Sequence, residues 1–185
     1  MIMNRLQVWN RNIVYSDLVY KLNPENLNGM IHLDDIVLKS TINTSVSEPK
    51  DIIFGLVALE LLTNQKAKVS RTRKSIAAFK TRKFVPISSK VTMRRNRLYS
   101  HLDFLISVAF PKWTQLKELE RRSLVNSKGS LSLGLSNLTM FPQLTKEYEQ
   151  LPNDMGITIT MNTSNAHNEP ELLLLLSEFQ MPVII

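Results

Sequence analysis

The feature that most constrains this chain is a basic segment without a single acidic residue. Between Leu61 and Leu102 there are twelve Lys or Arg side chains and no Asp or Glu, whereas the other residues carry eleven basic and 16 acidic side chains. The net charge of +7 therefore divides into a cationic segment and an anionic remainder. Cations without carboxylates nearby repel one another in a compact fold, so the basic segment predicts an external anion. Phosphate is the obvious candidate, although a run of like charge is more often a solvated face.

The rest of the composition narrows the class of protein. With 43% apolar and 21% charged residues, the chain can bury an ordinary core, which excludes a disordered basic tail. It has no Cys, and its histidines, His32, His101 and His167, are scattered, so no metal site is predicted. Gly129 and Gly134 have the spacing of a nucleotide-binding loop, but the required Lys-Ser or Lys-Thr pair does not follow. Since no apolar run approaches the ~20 residues that span a bilayer, we expect a protein that is not an enzyme, needs no cofactor and does not bind a membrane.

Apolar periodicity predicts helices and strands in the order αβαββαββα. Helical spacing and strand alternation follow each other along the chain, separated by turn residues. The predicted helices cover residues 5–22, 51–63, 96–111 and 169–179, and the predicted strands cover 35–44, 66–73, 87–94, 131–135 and 157–161. Because no repeat or linker divides the chain, we expect a single domain over residues 1–185, with a basic inter-strand loop at residues 74–86.

Strand alternation separates an apolar face of the predicted sheet, which helices must cover, from a polar face. The polar face combines hydroxyl, amide and ammonium groups and contains neither a carboxylate nor an aromatic ring. Such groups suit phosphate and ribose oxygens better than stacked bases. We therefore expect this face to bind folded RNA by its shape and backbone. The cations and hydroxyl that we assign to binding are Lys39, Lys66, Lys68, Lys90, Thr92 and Arg94.

The middle of the chain carries a long, ordered sequence pattern. Residues 62–111 read LTNQKAKVSRTRKSIAAFKTRKFVPISSKVTMRRNRLYSHLDFLISVAFP. The positions that carry a resemblance include Gln65-Lys66, Lys74-Ser75-Ile76-Ala77, Phe79-Lys80, Lys90-Val91-Thr92 and Leu102-Asp103, with further matches toward both ends of the chain. This pattern resembles that of the bacterial-type large-subunit ribosomal protein five, the family that binds 5S ribosomal RNA.

The resemblance implies an α+β fold with a five-stranded antiparallel sheet, helices packed on one face and an RNA-binding polar and basic face opposite. It implies a place in the central protuberance of the large ribosomal subunit, where the sheet holds 5S rRNA and large-subunit rRNA. Gln65 and Thr92 match polar family residues that hydrogen-bond RNA. Implied protein partners are the small-subunit head protein thirteen and other central-protuberance proteins. The residues that match a loop reaching the P-site tRNA are Lys74, Ser75, Phe79, Lys80, Arg82 and Lys83.

Departures from the family pattern point to an organelle. A family Asn at the end of the first strand is Lys39 here, and family glycines are replaced at several positions, including Phe84. This drift and the lack of a recognisable presequence favour an organelle-encoded protein of the mitochondrial matrix, with a plastid or the bacterial cytoplasm as the alternative. The competing function is that of a free RNA-binding regulator or chaperone, which would sediment away from large subunits.

Overall fold

Helices alternate with strands along the chain, as the periodicity predicts. A computed structural model describes residues 4–24, 26–42, 49–79, 81–113, 125–126, 129–145, 151–152, 155–166 and 168–182. The α-helices are α1 (Arg5–Trp9), α2 (Tyr15–Leu22), α3 (Ile52–Thr63), α4 (Asn96–Phe104), α5 (Phe110–Lys112) and α6 (Glu169–Glu178). Turns of π-helix join α1 to α2 and α4 to α5, at Asn10–Val14 and Leu105–Ala109. Short 3-10 turns occur at Leu27–Gly29, Pro49–Asp51 and Ala77–Phe79.

The strands form one antiparallel sheet in the order β2-β3-β1-β6-β5-β4. Their bounds are β1 (His32–Ile42), β2 (Lys68–Arg71), β3 (Pro86–Arg94), β4 (Val125–Asn126), β5 (Ser130–Leu135) and β6 (Met155–Ser164). The five predicted strands and the α+β class are confirmed. The sheet also contains β4, which pairs with β5 and is too short to show a periodicity in the sequence.

Polar residues end and begin several helices, for reasons visible in the sequence. Asn23 and Asn64 follow α2 and α3 in the left-handed conformation, with φ of 42° and 49°. Asn tolerates this conformation better than most residues, which makes it a common helix terminator. Asn168 and Glu171 form a capping box at the start of α6, so the backbone donors of its first turn have partners.

The fold comprises two compact units, and the long strands contribute residues to both. We call Met1–Ile36, Met93–Ser132 and Thr160–Ile185 the first unit, and Val37–Thr92 and Leu133–Ile159 the second unit. The boundaries between them fall within β1, β3, β5 and β6. That residues 1–185 act as a single domain stays a prediction.

The predicted apolar face of the sheet is buried in both units. In the first unit the buried strand residues are Ile36, Met93, Leu131 and Met161. In the second unit they are Leu38, Ile42, Val91, Leu133, Leu135, Ile157 and Ile159. Ala67, Val69 and Ile87, which the alternation assigns to the same face, are only half-buried. The alternation therefore sorts the two faces correctly through most of the sheet.

Different helices pack within each unit. In the second unit, α3 lies against the sheet at Gly55, where a Cβ would stand 3.0 Å from the Ser89 hydroxyl oxygen and 3.2 Å from that of Ser40. In the first unit, the rings of Tyr99 and Phe179 lie 6.2 Å apart, next to the ends of α4 and α6. Close backbone approach at Gly55 is what lets α3 cover the neighbouring strands β1 and β3.

Helix α3 is apolar on its outer side as well. Ile53, Phe54, Val57 and Leu61 are all exposed, between 37% and 56% of their surface. Three of them are spaced by four residues and so form a stripe along one side of the helix. An apolar helix with only one side covered leaves part of its hydrophobic surface in water.

Candidate nucleic-acid interface

Two lysines face each other across the strands of the basic segment. In the ladder between β2 and β3, Lys68 lies opposite Lys90, and Ser70 lies opposite Ser88. Both lysines are exposed, and none of the ion pairs found in the described part of the chain includes either of them. Like charges directly opposite in an antiparallel pair repel each other. An anion bound over this pair would remove that repulsion.

A third lysine, Lys39 of β1, is exposed on the same face. β1 lies beside β3, and Ser40 and Ser89 both approach α3 at Gly55. Since successive residues of a strand point to opposite faces, Lys39 and Lys90 lie on the face away from α3. Three adjacent strands of the second unit therefore each present an exposed ammonium group on one surface. We call Lys39, Lys68 and Lys90 the lysine surface.

The residues between α3 and β2 bring two predicted site residues into contact. The Gln65 side-chain amide donates a hydrogen bond of 3.2 Å to the Thr92 carbonyl oxygen, which holds Gln65 against β3. Lys66 is exposed, but it precedes β2, which begins at residue 68 rather than at the predicted residue 66. Strand alternation therefore does not fix the direction of Lys66. The Glu60 carboxylate, at the flank of the basic segment, accepts a hydrogen bond of 3.0 Å from the backbone N–H of Ala67.

The loop between β2 and β3 is closed at its base by Thr72. Its backbone N–H donates to the Val85 carbonyl oxygen at 2.9 Å, and its hydroxyl accepts a hydrogen bond from the Val85 N–H at 3.0 Å. A further bridge joins Ile76 to Thr81 nearer the tip. These bonds give the loop a defined path, so its side chains are displayed from a fixed base. The predicted tRNA-contact residues Lys74, Ser75, Arg82 and Lys83 are exposed.

Two predicted loop residues cannot be placed. Lys80 lies outside the residues that the structure describes, and so does the side chain of Phe79. Sequence reasoning passed over a third residue, Phe84, whose ring is 65% exposed and lies 5.0 Å from the Lys83 ammonium nitrogen. It was missed because it lies in the loop, whereas the prediction about exposed aromatic rings concerned only the strands. An aromatic ring next to consecutive cations was the available signal.

Arg94 belongs to the first unit and differs from the lysine surface, because its charge has a partner. Its guanidinium donates a hydrogen bond of 3.2 Å to the Asp35 carboxylate. The Asn162 side-chain amide donates to the other oxygen of the same carboxylate at 2.7 Å. The prediction that the polar face contains no carboxylate is therefore wrong. Alternation from the buried Ile36 would have placed Asp35 there.

The ion pairs of the described residues all lie in the first unit. They are Arg5 with Asp103, Lys21 with Glu178, His32 with Asp34, and Arg94 with Asp35. The hydrogen bond to Glu178 raises the pKa of Lys21. In the second unit, no ion pair occurs among the residues that the structure describes. The basic segment therefore keeps its charge available where it runs through the second unit, as its sequence suggested.

Buried polar groups of the first unit serve packing. Burial lowers the pKa of His101 to about 4, so its imidazole is neutral near pH 7, and its ring lies 5.9 Å from that of Phe104. Burial raises the pKa of Tyr99, while a hydrogen bond from Asn10 acts in the opposite direction. Within the described ranges, no group of three or more acidic or His side chains could hold a metal ion. No helix in that part of the chain is long and apolar enough to cross a bilayer.

The chain is similar to known proteins over nearly its whole length. Residues 86–183 match the family model that describes the C-terminus of the ribosomal uL5 family. The large ribosomal subunit protein uL5m of Reclinomonas americana is 35% identical over 181 residues, which are 98% of each chain. The large ribosomal subunit protein uL5c of Stigeoclonium helveticum is 34% identical over 165 residues, which are 89% of each chain. The first alignment includes the lysine surface and the loop, part of which precedes the region matched by the family model.

Proposed function

The chain belongs to the ribosomal uL5 family, and on this premise we propose that it is a structural protein of the large subunit of an organellar ribosome, where it binds ribosomal RNA. It contributes by binding and has no catalytic role, as expected of a ribosomal protein family. The observation that carries RNA binding is the lysine surface, which presents three exposed cations on adjacent strands. Phosphate groups are the partners that such a surface can neutralise.

The arrangement of charge favours folded RNA as the ligand. Lys68 and Lys90 are held opposite each other by the ladder, so they can meet phosphates at a fixed spacing. The serine pair Ser70 and Ser88 lies next to them in the same ladder. A rigid surface of cations and hydroxyls suits the regular backbone of a folded RNA, whereas single strands are bound by stacking on aromatic rings.

The finer assignments of partners follow from family membership together with the surface. We propose 5S rRNA and adjacent large-subunit rRNA as ligands of the lysine surface, with Gln65, Lys66 and Thr92 contributing at its edge. The exposed cations of the loop, including Arg82 and Lys83, extend toward the P-site tRNA. Head protein thirteen of the small subunit and other proteins of the central protuberance complete the set of partners.

Among organelles, we place the protein in the mitochondrial matrix. Support comes from the relative of Reclinomonas americana, which is named as a mitochondrial protein and aligns over 98% of the chain. The plastid is the alternative, since the relative of Stigeoclonium helveticum is named as a chloroplast protein. Fractionation of organelles, followed by detection of the protein in mitochondrial or plastid ribosomes, distinguishes the two.

Sedimentation of the native protein tests the proposal. In a sucrose gradient of lysed organelles, we expect the protein to migrate with the large subunit and to be released by high salt, because phosphate contacts weaken as salt increases. A protein that stays at the top of a low-salt gradient would instead be a free RNA-binding regulator. Crosslinking of the recovered large subunits then identifies whether 5S rRNA, large-subunit rRNA or both contact β2 and β3.

A further inference from the structure

Phe84 has a backbone conformation that its side chain disfavours. Its φ is +69°, in the left-handed region, which glycine adopts freely and bulky residues rarely do. Its N–H donates to the Thr72 carbonyl oxygen at 3.1 Å, and the next residue, Val85, is bonded to the Thr72 hydroxyl. The base of the loop therefore holds Phe84 in this conformation.

Packing does not explain why a phenylalanine occupies the position. The ring is 65% exposed, so it contributes little to a core. A large aromatic ring that is both exposed and held in a disfavoured conformation gains nothing for folding that a smaller residue would lack. Its contribution must therefore come from contact with something outside the chain.

The surroundings of the ring define the chemistry of that partner. The Lys83 ammonium nitrogen lies 5.0 Å from the ring centroid, and Arg82, Arg73 and Lys74 are exposed in the same loop. No ion pair involves these cations among the residues that the structure describes. An aromatic ring among unpaired cations offers both contacts that a nucleotide needs, a stacking platform for its base and charges for its phosphates.

We propose that Phe84 is a base-stacking residue: its ring stacks on an exposed nucleobase of the RNA that the loop binds, while Arg82 and Lys83 neutralise the neighbouring phosphates. The inference rests on the proposed function, since it takes RNA as the ligand of the loop. It adds a contact to a base where the sheet contacts only the backbone. The loop and the lysine surface thus use different recognition chemistry, stacking in the one and charge in the other.

The test compares oligonucleotides that differ only in their bases. Binding of the full chain to a labelled eight-nucleotide oligoadenylate and to an abasic oligomer of the same length is measured at low salt. We expect oligoadenylate to bind about tenfold more tightly, because stacking adds to the phosphate contacts. Phe84→Gly should abolish this preference and leave the abasic affinity unchanged. Phe84→Tyr, which keeps an aromatic ring, should preserve it.

Thermal unfolding separates stacking from a structural role. Since glycine adopts the left-handed conformation without strain, Phe84→Gly should melt at or above the temperature of the unsubstituted protein. A large drop in melting temperature together with weaker binding to both oligomers would show that the ring is structural and overturn the proposal. So would an unchanged base preference in Phe84→Gly, or equal binding of both oligomers by the unsubstituted protein.

A charge variant distinguishes failure of stacking from failure of RNA binding by the loop. Arg82→Gln with Lys83→Gln should weaken binding of both oligomers by a similar factor and reduce the salt dependence by one to two units of slope, roughly 0.7 for each phosphate that is no longer neutralised. If this double variant binds both oligomers as the unsubstituted protein does, the loop does not bind RNA, and the stacking proposal is overturned with it. If only the base preference is absent, phosphate binding by the loop stands alone.

Discussion

The two units of this protein treat positive charge in opposite ways. In the first unit, Arg5, Lys21 and Arg94 each have a carboxylate partner. In the second unit, Lys68 is held opposite Lys90, and the described residues supply no carboxylate to either. Paired charges add modestly to stability, whereas unpaired like charges reduce it. The difference teaches that the second unit keeps an electrostatic strain that only a ligand can relieve.

A protective role against aggregation explains one of these lysines but not the others. Lysines on the edge strand of a sheet discourage pairing with another chain, and Lys68 lies on the edge strand β2. Lys39 and Lys90 lie on β1 and β3, which have neighbours on both sides. No edge needs protection there, so an anionic ligand remains the better explanation of the lysine surface.

The largest effect that we expect comes from removing the lysine surface. Replacing Lys39, Lys68 and Lys90 together by Gln should weaken binding to ribosomal RNA about a hundredfold at physiological salt and lower the slope of log affinity against log salt by two to three, roughly 0.9 for each neutralised phosphate. Filter binding over a salt series measures both quantities. Melting temperature should not fall, since the substitution removes repulsion.

The control for this variant changes cations elsewhere. Lys50 and Lys112 are exposed and lie outside the basic segment. Replacing both by Gln should reduce RNA affinity much less for each charge removed. Equal losses per charge would mean that net charge, rather than the lysine surface, determines binding, and the contrast between the two units would lose its functional meaning.

The second prediction concerns acid, to which the first unit should be sensitive through His101. Folding lowers the pKa of His101 from 6.5 to about 4, so between these values the unfolded chain binds a proton that the folded chain does not. Stability is therefore greatest above pH 6.5 and decreases as the pH falls toward 4. From pH 7.5 to pH 5 the free energy of unfolding should fall by roughly 2 kcal/mol from this group.

Urea unfolding at several pH values measures this loss. His101→Phe fills a similar buried space without a titrating group, and it should reduce the loss between pH 7.5 and pH 5. RNA affinity at neutral pH should be the same in both proteins, since His101 is buried and uncharged there. An identical pH dependence in the variant would assign the acid sensitivity to another group.

A third, smaller effect should follow from releasing Arg94. Asp35→Asn removes the negative charge that pairs with Arg94 and keeps a side-chain oxygen, so the guanidinium becomes available to a phosphate. RNA affinity should rise about fivefold, and the salt slope should increase by about one. Asp17→Asn makes the same change of net charge on the exposed surface of α2 and serves as the control. Equal increases in the two variants would show that Arg94 does not contact RNA.

The smallest effect should come from reversing one charge of the opposed lysine pair. Lys68→Glu places a carboxylate opposite Lys90 and should increase the free energy of unfolding by about 0.5 kcal/mol, while RNA affinity decreases. Lys68→Gln is the control, because it removes the repulsion without adding attraction and should lie between the two proteins in stability. A variant less stable than the unsubstituted protein would mean that the lysine pair is not strained.

Sequence reasoning succeeded where one residue at a time carries the information. Alternation assigned Leu38, Val91 and Ile159 to the covered face, and all three are buried. It could not reveal partners across strands, because these depend on register: the contact of Arg94 with Asp35 and the opposition of Lys68 to Lys90 appear only in the sheet. The conformation of Phe84 was likewise hidden, since tertiary bonds to Thr72 impose it.

The uncovered side of α3 has a consequence for the protein before it reaches its ribosome. Ile53, Val57 and Leu61 form a stripe without charge, so two free copies that meet through it experience no electrostatic barrier there. We expect the free protein to self-associate as its concentration rises, and surplus copies to be removed by proteases or chaperones. Its cellular level would then follow the number of subunits that accept it, which makes the supply of this protein a function of ribosome assembly rather than of synthesis alone.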